Sequence, residues 1–330
     1  MRNITNELRE IAEDLLESKK VDVVLGYAKG EQPYQSVPFA AKKKEDVENL
    51  IFDIFSYSSL SKYLLDDMYR GKKVALVLKG CDYRGLKIML DESRVDRDDL
   101  YLIGVECRGV LEKSKLKKKI DATLFETTLD LKEDKLAISS SKENVEVPYE
   151  DVLSPYCLAC EFSTPHKEEV DIILGEPGKM TNKELTTDEC FAEIGQIEKM
   201  DEKQRFEYWK KQLNRCKRCY SCRNACPVCT CRVCLFDREN PSYLDSDTSQ
   251  LAQHQFYHVI RAFHISDRCV GCGQCSRVCP ENIPLHLLNQ KLIKELNKFY
   301  GSYLPGVDEQ PAPLSFAKAD DPDPFEKEEK

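Results

Sequence analysis

The chain has 330 residues, of which 41% are hydrophobic and 32% charged, and its formal net charge is −9 at pH 7. This length favours about two domains, and the apolar content is sufficient for a hydrophobic core. No apolar run approaches the roughly 18 residues of a membrane span, the first residues lack the apolar segment of a secretory signal, and the acidic balance disfavours nucleic-acid binding. We therefore expect a folded cytoplasmic protein rather than a membrane, secreted or disordered one.

The first 180 residues alternate between helical patterns and short apolar runs. Apolar side chains recur at helical spacing and predict helices over residues 4–18, 45–69 and 83–92. Buried strands are predicted at 21–25, 74–78, 101–105 and 170–174. Because apolar strands separated by helices are typical of parallel sheets, we predict an α/β domain with a mainly parallel sheet over residues 1–180. Residues 120–150 alternate in short stretches and predict a small antiparallel excursion.

The composition changes near residue 180. Acidic residues, lysine and glutamine dominate residues 181–213, which we predict to form a helical linker anchored by Phe206 and Trp209. A cysteine-rich unit follows over residues 214–300, and it is predicted to be a small α+β dicluster ferredoxin-like module with a helix near 247–263. Residues 301–330 are rich in proline and acidic residues and predict an extended tail unless a partner orders it.

The chain contains sixteen cysteines, and half of them form two copies of one motif. In a reducing compartment, clustered cysteines are more often metal ligands than disulfide partners. Both copies have the spacing C-x2-C-x2-C-x3-C and are followed by Pro227 and Pro280. The first copy is Cys216, Cys219, Cys222 and Cys226, and the second is Cys269, Cys272, Cys275 and Cys279.

This spacing is that of two-cluster ferredoxins, in which the fourth cysteine of each copy serves the other cluster. The sequence thus predicts a first [4Fe-4S] cluster on Cys216, Cys219, Cys222 and Cys279. It predicts a second cluster on Cys269, Cys272, Cys275 and Cys226. Gly271 and Gly273 would let backbone amides approach the second cluster closely. Paired structural zinc sites are the alternative, although zinc favours well-separated CxxC pairs.

The 42 residues between Cys226 and Cys269 are more than a compact ferredoxin needs. Cys229, Cys231 and Cys234 could bind another metal, with Cys190 as a conceivable fourth ligand, or could replace Cys226. The interpretation we favour is that they are thiols packed beside the clusters and that Cys226 is the ligand. His254 and His258 are spaced i, i+4, which suits a metal but more often reflects packing and hydrogen bonding.

Four further cysteines lie in the N-terminal part of the chain. Cys81 and Cys107 follow the predicted strands 74–78 and 101–105, and Cys157 and Cys160 form a CxxC pair. The carboxyl ends of parallel strands meet at one edge of a sheet, where α/β proteins bind ligands. These four cysteines could therefore hold a third [4Fe-4S] cluster. A zinc site, a Cys157–Cys160 redox disulfide and buried free thiols are the alternatives.

Several of these segments resemble the beta-subunit family of deazaflavin-reducing hydrogenases and formate dehydrogenases. The resemblance rests on residues 71–81, 102–109 and 157–175 and on Ser61-Lys62-Tyr63, and it covers about residues 20–180. The C-terminal half is similar to dicluster ferredoxin modules fused to such subunits. Where family members commonly have a Thr-Pro-Cys-Gln type turn, this chain has Lys79-Gly80-Cys81-Asp82.

The resemblance implies an iron–sulfur flavoprotein. It implies the third cluster on Cys81, Cys107, Cys157 and Cys160, and FAD near Ser61, Lys62, Tyr63, Lys79 and Gly80. The expected function is electron transfer in a cytoplasmic, anaerobic complex of the hydrogenase, formate dehydrogenase or heterodisulfide reductase type. Expected partners are its catalytic and electron-transfer subunits and ferredoxin.

Two other functions remain open at the level of sequence. One is a flavin enzyme in its own right that reduces a deazaflavin-like hydride carrier, and the other is a zinc-bound assembly scaffold. The chain has no GxGxxG, P-loop, HExxH or GxSxG motif, so a dinucleotide site of the Rossmann type and hydrolysis are disfavoured. A basic run, formed by Lys113, Lys115, Lys117, Lys118 and Lys119, is either a solvated face or a docking patch for an acidic partner.

Overall fold

The computed structural model describes residues 2–31, 34–119, 127–132, 134–140, 143–175, 184–245, 247 and 249–317. They form two compact units. Unit 1 comprises Met1–Tyr83 and Ser93–Thr186, and unit 2 comprises Arg84–Glu92 and Thr187–Lys330.

Unit 1 combines strands with peripheral helices. Its strands are β1 (Val23–Lys29), β2 (Ser36–Ala41), β3 (Leu50–Ile51), β4 (Val74–Leu78), β5 (Leu100–Val105), β6 (Thr128–Lys132), β7 (Lys135–Ser139), β8 (Asn144–Pro148) and β9 (Ile172–Leu174). Its helices are α1 (Arg2–Glu17), the first turn of α2 (Gly80–Asp91), α3 (Lys113–Lys117), α4 (Tyr149–Val152) and α5 (Pro155–Leu158).

The main sheet of unit 1 has the strand order β2-β1-β4-β5-β9, and β3 also pairs with β1. The pairs β1–β4, β4–β5 and β5–β9 are parallel, whereas β2 and β3 run antiparallel to β1. All five residues of β4 are buried, as expected for a central strand covered on both faces. The prediction of a mainly parallel sheet is confirmed.

The predicted helix over residues 45–69 is wrong. This segment forms β3 and three short 3₁₀ helices, Lys44–Asn49, Ser61–Leu65 and Asp67–Tyr69. The carboxylate of Asp53 accepts hydrogen bonds from the backbone N–H of Phe55 and the hydroxyl of Ser36, at 2.9 and 2.6 Å. Side chains that bind nearby backbone in this way compete with helix formation, and the apolar residues of the segment are buried in a non-helical arrangement.

The predicted antiparallel excursion is present as the three-stranded sheet β6-β7-β8. The inward residues Leu136, Ile138 and Val147 join Leu116 of α3 and Val152 of α4 in one hydrophobic cluster. Residues 120–126, 133 and 141–142 of the predicted segment lie outside the described residues.

Unit 2 is helical in the residues that the structure describes. After the last part of α2 come α6 (Thr187–Cys190), α7 (Ala192–Glu198), α8 (Glu202–Leu213), α9 (Ser221–Asn224), α10 (Leu251–His264), α11 (Gln274–Arg277) and α12 (Leu285–Tyr300). The predicted helix near 247–263 corresponds to α10, whereas α12 was not predicted. Instead of the predicted strands, described residues 214–317 form only one isolated β-bridge, between Glu239 and Ser242.

Several peripheral parts of unit 2 are held by specific contacts. Trp209 packs near Ile194, Ile197 and Leu287, as predicted for the linker, but Phe206 is 56% exposed. Residues 301–317 are folded against the protein rather than free, since the Arg84 Nε donates to the carbonyl of Pro305 at 2.8 Å. Residues 318–330 of the predicted tail lie outside the described residues. No described helix is long and apolar enough to cross a bilayer.

Candidate iron–sulfur sites

The two cysteine motifs of unit 2 adopt the same backbone conformation. Arg218 and Tyr220 in the first copy have φ of 46° and 59°, and Gly271 and Gly273 at the equivalent positions have 68° and 69°. The left-handed conformation costs a non-glycine residue roughly 1–2 kcal/mol. The left-handed conformation is adopted at Arg218 and Tyr220 despite this cost, which indicates that the loop conformation is a requirement of the motif. In both copies, a one-turn helix, α9 or α11, begins directly afterwards.

The first predicted ligand set is brought together in unit 2. Cys216, Cys219, Cys222 and Cys279 line one cavity. The pKa of the Cys216 thiol is raised to about 11, mainly by burial and also by the neighbouring Cys222, Cys279 and Cys219, although a hydrogen bond from the backbone N–H of Arg218 lowers it. Cys279, the last cysteine of the second motif, therefore lies beside the thiols of the first motif.

The second predicted set is formed by the reciprocal crossing. Cys226 lies close enough to affect the pKa values of all three other members, Cys269, Cys272 and Cys275. Burial raises the pKa of Cys269 to about 11 and that of Cys275 to about 12. In contrast, a hydrogen bond with the Cys229 side chain lowers the pKa of Cys226. A coordinating thiol is deprotonated by its metal, and two groups of four cysteines, each completed by the last cysteine of the other motif, suit two iron–sulfur clusters.

The extra cysteines occupy different surroundings. Cys229 is hydrogen-bonded to Cys226, Cys234 to Arg223, and Cys231 is exposed. Within the described ranges, no three Cys, His, Asp or Glu side chains converge closely enough to hold a single metal ion. The alternatives of another metal site with Cys190 and of structural zinc gain no support from this arrangement. A four-iron cube spreads its ligands over separate corners and needs no such convergence.

Side chains of α10 and α12 reach the sulfur atoms. His258 Nε2 lies 3.3 Å from Cys216 Sγ, and Tyr257 OH lies 3.7 Å from Cys222 Sγ. Burial lowers the pKa of His258 to about 3, so the ring is neutral and its Nε2–H can donate a hydrogen bond to sulfur in one tautomer. Asn289 Nδ2 donates to Cys275 Sγ at 3.7 Å. His254 instead bonds the carbonyl of Leu213 through Nδ1, at 3.1 Å.

Two of the four N-terminal cysteines follow neighbouring parallel strands of the unit 1 sheet, and the other two lie near one of them. Cys81 lies in the first turn of α2, after β4, and Cys107 follows β5. Burial raises the pKa of Cys107 to about 12, and the nearby Cys157 and Cys160 also contribute to the rise. No disulfide joins Cys157 and Cys160 in the structure.

A buried lysine lies among these cysteines. Lys79 Nζ is 2.6 Å from Asp82 Oδ2, donates to the hydroxyl of Tyr27 and lies 3.3 Å from the carbonyl of Ser58. Burial lowers the pKa of Lys79, but Asp82, Tyr27 and Cys81 together raise it well above its usual value. Its effect on the pKa of Cys107 places the cation beside that thiol as well.

The residues predicted to bind FAD differ in their contacts and in their exposure. The three N–H donors of Lys79 are matched by the three protein partners described above. Gly80 has no space for a side chain, because a Cβ would lie 2.1 Å from the carbonyl of Phe162. Ser61 is buried, with its hydroxyl 3.1 Å from that of Ser59, while Tyr63 is 43% exposed. These contacts give Lys79 and Gly80 structural roles within unit 1.

The basic run is only partly free for docking. Lys115 donates to the carbonyl of Leu153 at 2.8 Å, and Lys119 forms an ion pair with Asp151 at 2.8 Å. Lys117 and Lys118 are exposed.

Sequence reasoning missed the polar groups around the predicted clusters, Arg261 above all. Its guanidinium is buried beside cysteines of both motifs. The one available signal was an arginine three residues after His258, on the face of the predicted helix that also carries His254 and His258.

Comparisons with known proteins agree with the cysteine geometry. The family model of the 4Fe-4S dicluster domain matches residues 196–283. The F420-dependent formate dehydrogenase subunit beta of Methanocaldococcus jannaschii is 26% identical over 91% of this chain and 91% of that protein. The F420-dependent formate dehydrogenase 1 subunit beta of Methanococcus maripaludis is also 26% identical, over 91% of this chain and 90% of that protein. The predicted resemblance is therefore confirmed, and this chain is homologous to these beta subunits.

The solved structures that resemble this chain include one from a hydrogenase complex. A chain of the F420-reducing [NiFe] hydrogenase complex from Methanosarcina barkeri aligns with a TM-score of 0.41 and 14% identity, over 63% of this chain and 83% of that chain. Structural similarity at this level is too weak to support an argument about function.

Proposed function

We propose that this chain is an iron–sulfur electron-transfer subunit of an oxidoreductase complex. The observation that carries the proposal is the reciprocal crossing of Cys226 and Cys279, which completes two sets of four cysteines. The dicluster family match and the similarity to formate dehydrogenase beta subunits support the same function. When bound, such clusters accept and release single electrons, while the protein sets their positions, burial and hydrogen bonding.

In its finer form, the proposal assigns a third [4Fe-4S] cluster to Cys81, Cys107, Cys157 and Cys160. It is supported by the position of Cys81 and Cys107 after the neighbouring parallel strands β4 and β5. Cys157 and Cys160 lie within electrostatic range of Cys107. The first two clusters belong to Cys216, Cys219, Cys222 and Cys279, and to Cys226, Cys269, Cys272 and Cys275.

Iron analysis of anaerobically isolated protein tests these assignments. Three clusters require about twelve irons per chain, two require about eight, and zinc without iron would refute the electron-transfer function. Cys81→Ser should lose or convert one cluster and keep the dicluster irons. Cys231→Ser is the matched control, because this exposed cysteine belongs to none of the three sets, and it should retain the full iron content. Equal iron content in both variants would refute the third cluster.

We further propose that the complex is cytoplasmic and of the formate dehydrogenase type, with catalytic and electron-transfer subunits as partners. The similarity to two formate dehydrogenase beta subunits supports this partner class. Isolation of the native complex under anaerobic conditions, followed by subunit identification and formate oxidation assays, tests the proposal. A hydrogenase or heterodisulfide-reductase-like catalytic subunit in the isolated complex would replace the formate dehydrogenase assignment.

A second candidate function is reduction of a deazaflavin-like carrier at a flavin bound in unit 1. It is favoured by the words "F420-dependent" in the names of both relatives. A flavin exchanges hydride equivalents for single electrons, and Ser61, Lys62 and Tyr63 are its candidate binding residues. The test is flavin analysis of the isolated subunit together with its deazaflavin reduction rate. Absence of flavin from protein with full iron content would reject this candidate but leave the electron-transfer function intact.

A further inference from the structure

The guanidinium of Arg261 is an enclosed positive charge in unit 2. The residue is 4% exposed, and its Nη2 donates to the carbonyl oxygen of Cys222 at 3.0 Å. Among the described residues, its Nε has no hydrogen-bond partner, and no carboxylate forms an ion pair with it. Burying a charge that lacks an anionic partner is strongly unfavourable. The surroundings of Arg261 therefore call for negative charge of another origin.

The groups that surround the guanidinium are cysteines of the two predicted cluster sites. Burial lowers the pKa of Arg261, whereas Cys226, Cys275, Cys229 and Cys222 raise it well above its usual value. Cys222 belongs to the first predicted ligand set, and Cys226 and Cys275 belong to the second. The influence is mutual, because Arg261 lowers the pKa values of Cys222, Cys226, Cys269 and Cys275. One cation is thus close to thiols of both sets.

The fold explains this position. Arg261 lies on α10, in the long segment between the two motifs, one turn after Tyr257 and His258. These two residues face Cys222 and Cys216 of the first set. Arg261, one turn later, donates to the Cys222 carbonyl and lies within electrostatic range of Cys226 and Cys275 of the second set. Other nearby arginines are differently engaged: Arg223 pairs with Asp237 at 2.7 Å and Arg268 with Glu92 at 2.5 Å.

We propose that Arg261 is a positioning residue shared by both clusters, whose buried charge stabilises the reduced form of each and so raises both reduction potentials. Reduction adds one electron to a cluster and changes its charge by one negative unit, without making or breaking a bond to Arg261. A fixed positive charge favours that change, and low dielectric surroundings strengthen the effect. This inference rests on the proposed electron-transfer function.

The test compares neutral and charged replacements in the anaerobically isolated full chain. Arg261→Gln removes the charge but keeps a donor for the Cys222 carbonyl, and Arg261→Met fills similar volume without a polar group. Arg261→Lys keeps the charge. Redox titrations are followed by EPR spectroscopy, and the dicluster signals are identified by their loss in Cys219→Ser and Cys272→Ser variants.

We expect Arg261→Gln and Arg261→Met to lower the reduction equilibrium constant of both dicluster signals at least tenfold, a shift of about 59 mV for one electron. Arg261→Lys should shift them less than either neutral variant. Arg223→Gln is the control, since it removes an arginine charge that is already paired with Asp237, and it should cause a smaller shift than Arg261→Gln. Unchanged potentials in a neutral variant, or a shift confined to one cluster, would overturn the proposal.

Loss of iron is also decisive. If both neutral variants lose the dicluster irons but Arg261→Lys retains them, the positive charge is needed to hold the anionic clusters, as the proposal requires. If the lysine variant loses them too, Arg261 is needed for its shape, and the proposal is wrong. Failure of the proposed function is distinct from either result, because it would appear as wild-type protein without dicluster iron.

Discussion

Removal of Lys79 should destabilise unit 1 far more than removal of an exposed lysine. In the substitution Lys79→Met, the carboxylate of Asp82 is left buried without its partner. The two side chains are 3% and 2% exposed and lie 2.6 Å apart. Breaking such a pair by deleting one member costs about 3–5 kcal/mol, because an uncompensated charge remains in the interior.

Helix α2 contains a matched control. Lys87 and Asp91 form a pair at 2.9 Å, but their side chains are 43% and 57% exposed. Such an i, i+4 pair contributes about 0.3–0.5 kcal/mol. Lys87→Met therefore deletes the same charge, with the same replacement, at roughly a tenth of the energetic cost.

Hydrogen exchange measured by mass spectrometry on peptides from β1 and β4 gives the free energy of opening unit 1 without assuming two-state unfolding of the whole chain. The stability that Lys79→Met is expected to lose corresponds to an acceleration of exchange by about two to nearly four orders of magnitude, since 1.4 kcal/mol corresponds to a factor of ten. Iron content is measured in parallel, so that loss of the proposed third cluster is recognised.

The double variant Lys79→Met/Asp82→Leu separates charge from packing. Replacing both members of a buried pair by apolar residues is often neutral or stabilising, and Tyr27 keeps its hydrogen bond to the carbonyl of Ser58 at 2.6 Å. We expect the double variant to recover most of the protection lost in Lys79→Met. The reasoning is refuted if Lys79→Met costs no more than Lys87→Met, or if the double variant is as unstable as the sum of its single variants.

Three further predictions follow from the sites. Gly271→Ala should lower the stability of the dicluster site by about 1–2 kcal/mol, measured as a shift in thermal iron release, because φ is +68° at this residue. A Cβ would meet no atom within 4 Å at Gly271 or at the helical Gly195, so Gly195→Ala is the control and should not be destabilising. Equal losses of stability in the two variants would contradict the backbone explanation. His258→Phe should keep all irons but lower the reduction potential of only the cluster bound by Cys216. The expected shift is tens of millivolts, which is on the order of the free energy of one hydrogen bond. An unchanged redox titration would show that the contact between His258 Nε2 and sulfur has no effect. If the basic run docks an acidic partner, Lys117→Glu with Lys118→Glu should slow electron transfer at low salt, and the difference should shrink at high salt; a similar effect of Lys72→Glu with Lys73→Glu would indicate general charge rather than docking.

The parts of the fold that were predictable have local signals. The strand Val74–Leu78 is an uninterrupted apolar run, and its observed bounds are those predicted. The helix over residues 45–69 was wrong because its apolar spacing fits a helix, whereas Asp53 and the pairing of β3 with β1 decide the conformation. Long-range pairing of this kind leaves no periodic trace in a sequence.

In the candidate sites as well, local features were predictable and long-range contacts were not. The spacing of the two motifs was sufficient to predict that Cys226 and Cys279 cross, because the motif itself specifies the crossing. The partners of the cysteines were not predictable, since they come from distant positions. Lys79 and Asp82 illustrate this point: in the sequence they are a departure from the family's turn, and only the fold shows them as a buried ion pair beside Cys81.

The long segment between the motifs now has a physical explanation. A compact ferredoxin needs few residues there, yet this chain uses 42, and α10 is their largest regular element. One face of α10 places Tyr257, His258 and Arg261 against the cysteines. Hydrogen bonds to sulfur and nearby positive charge are the means by which a protein raises the potential of a cluster whose ligands are fixed. In the proposed function, α10 therefore supplies the groups that adjust the potentials of the two clusters without any change of cysteine ligand.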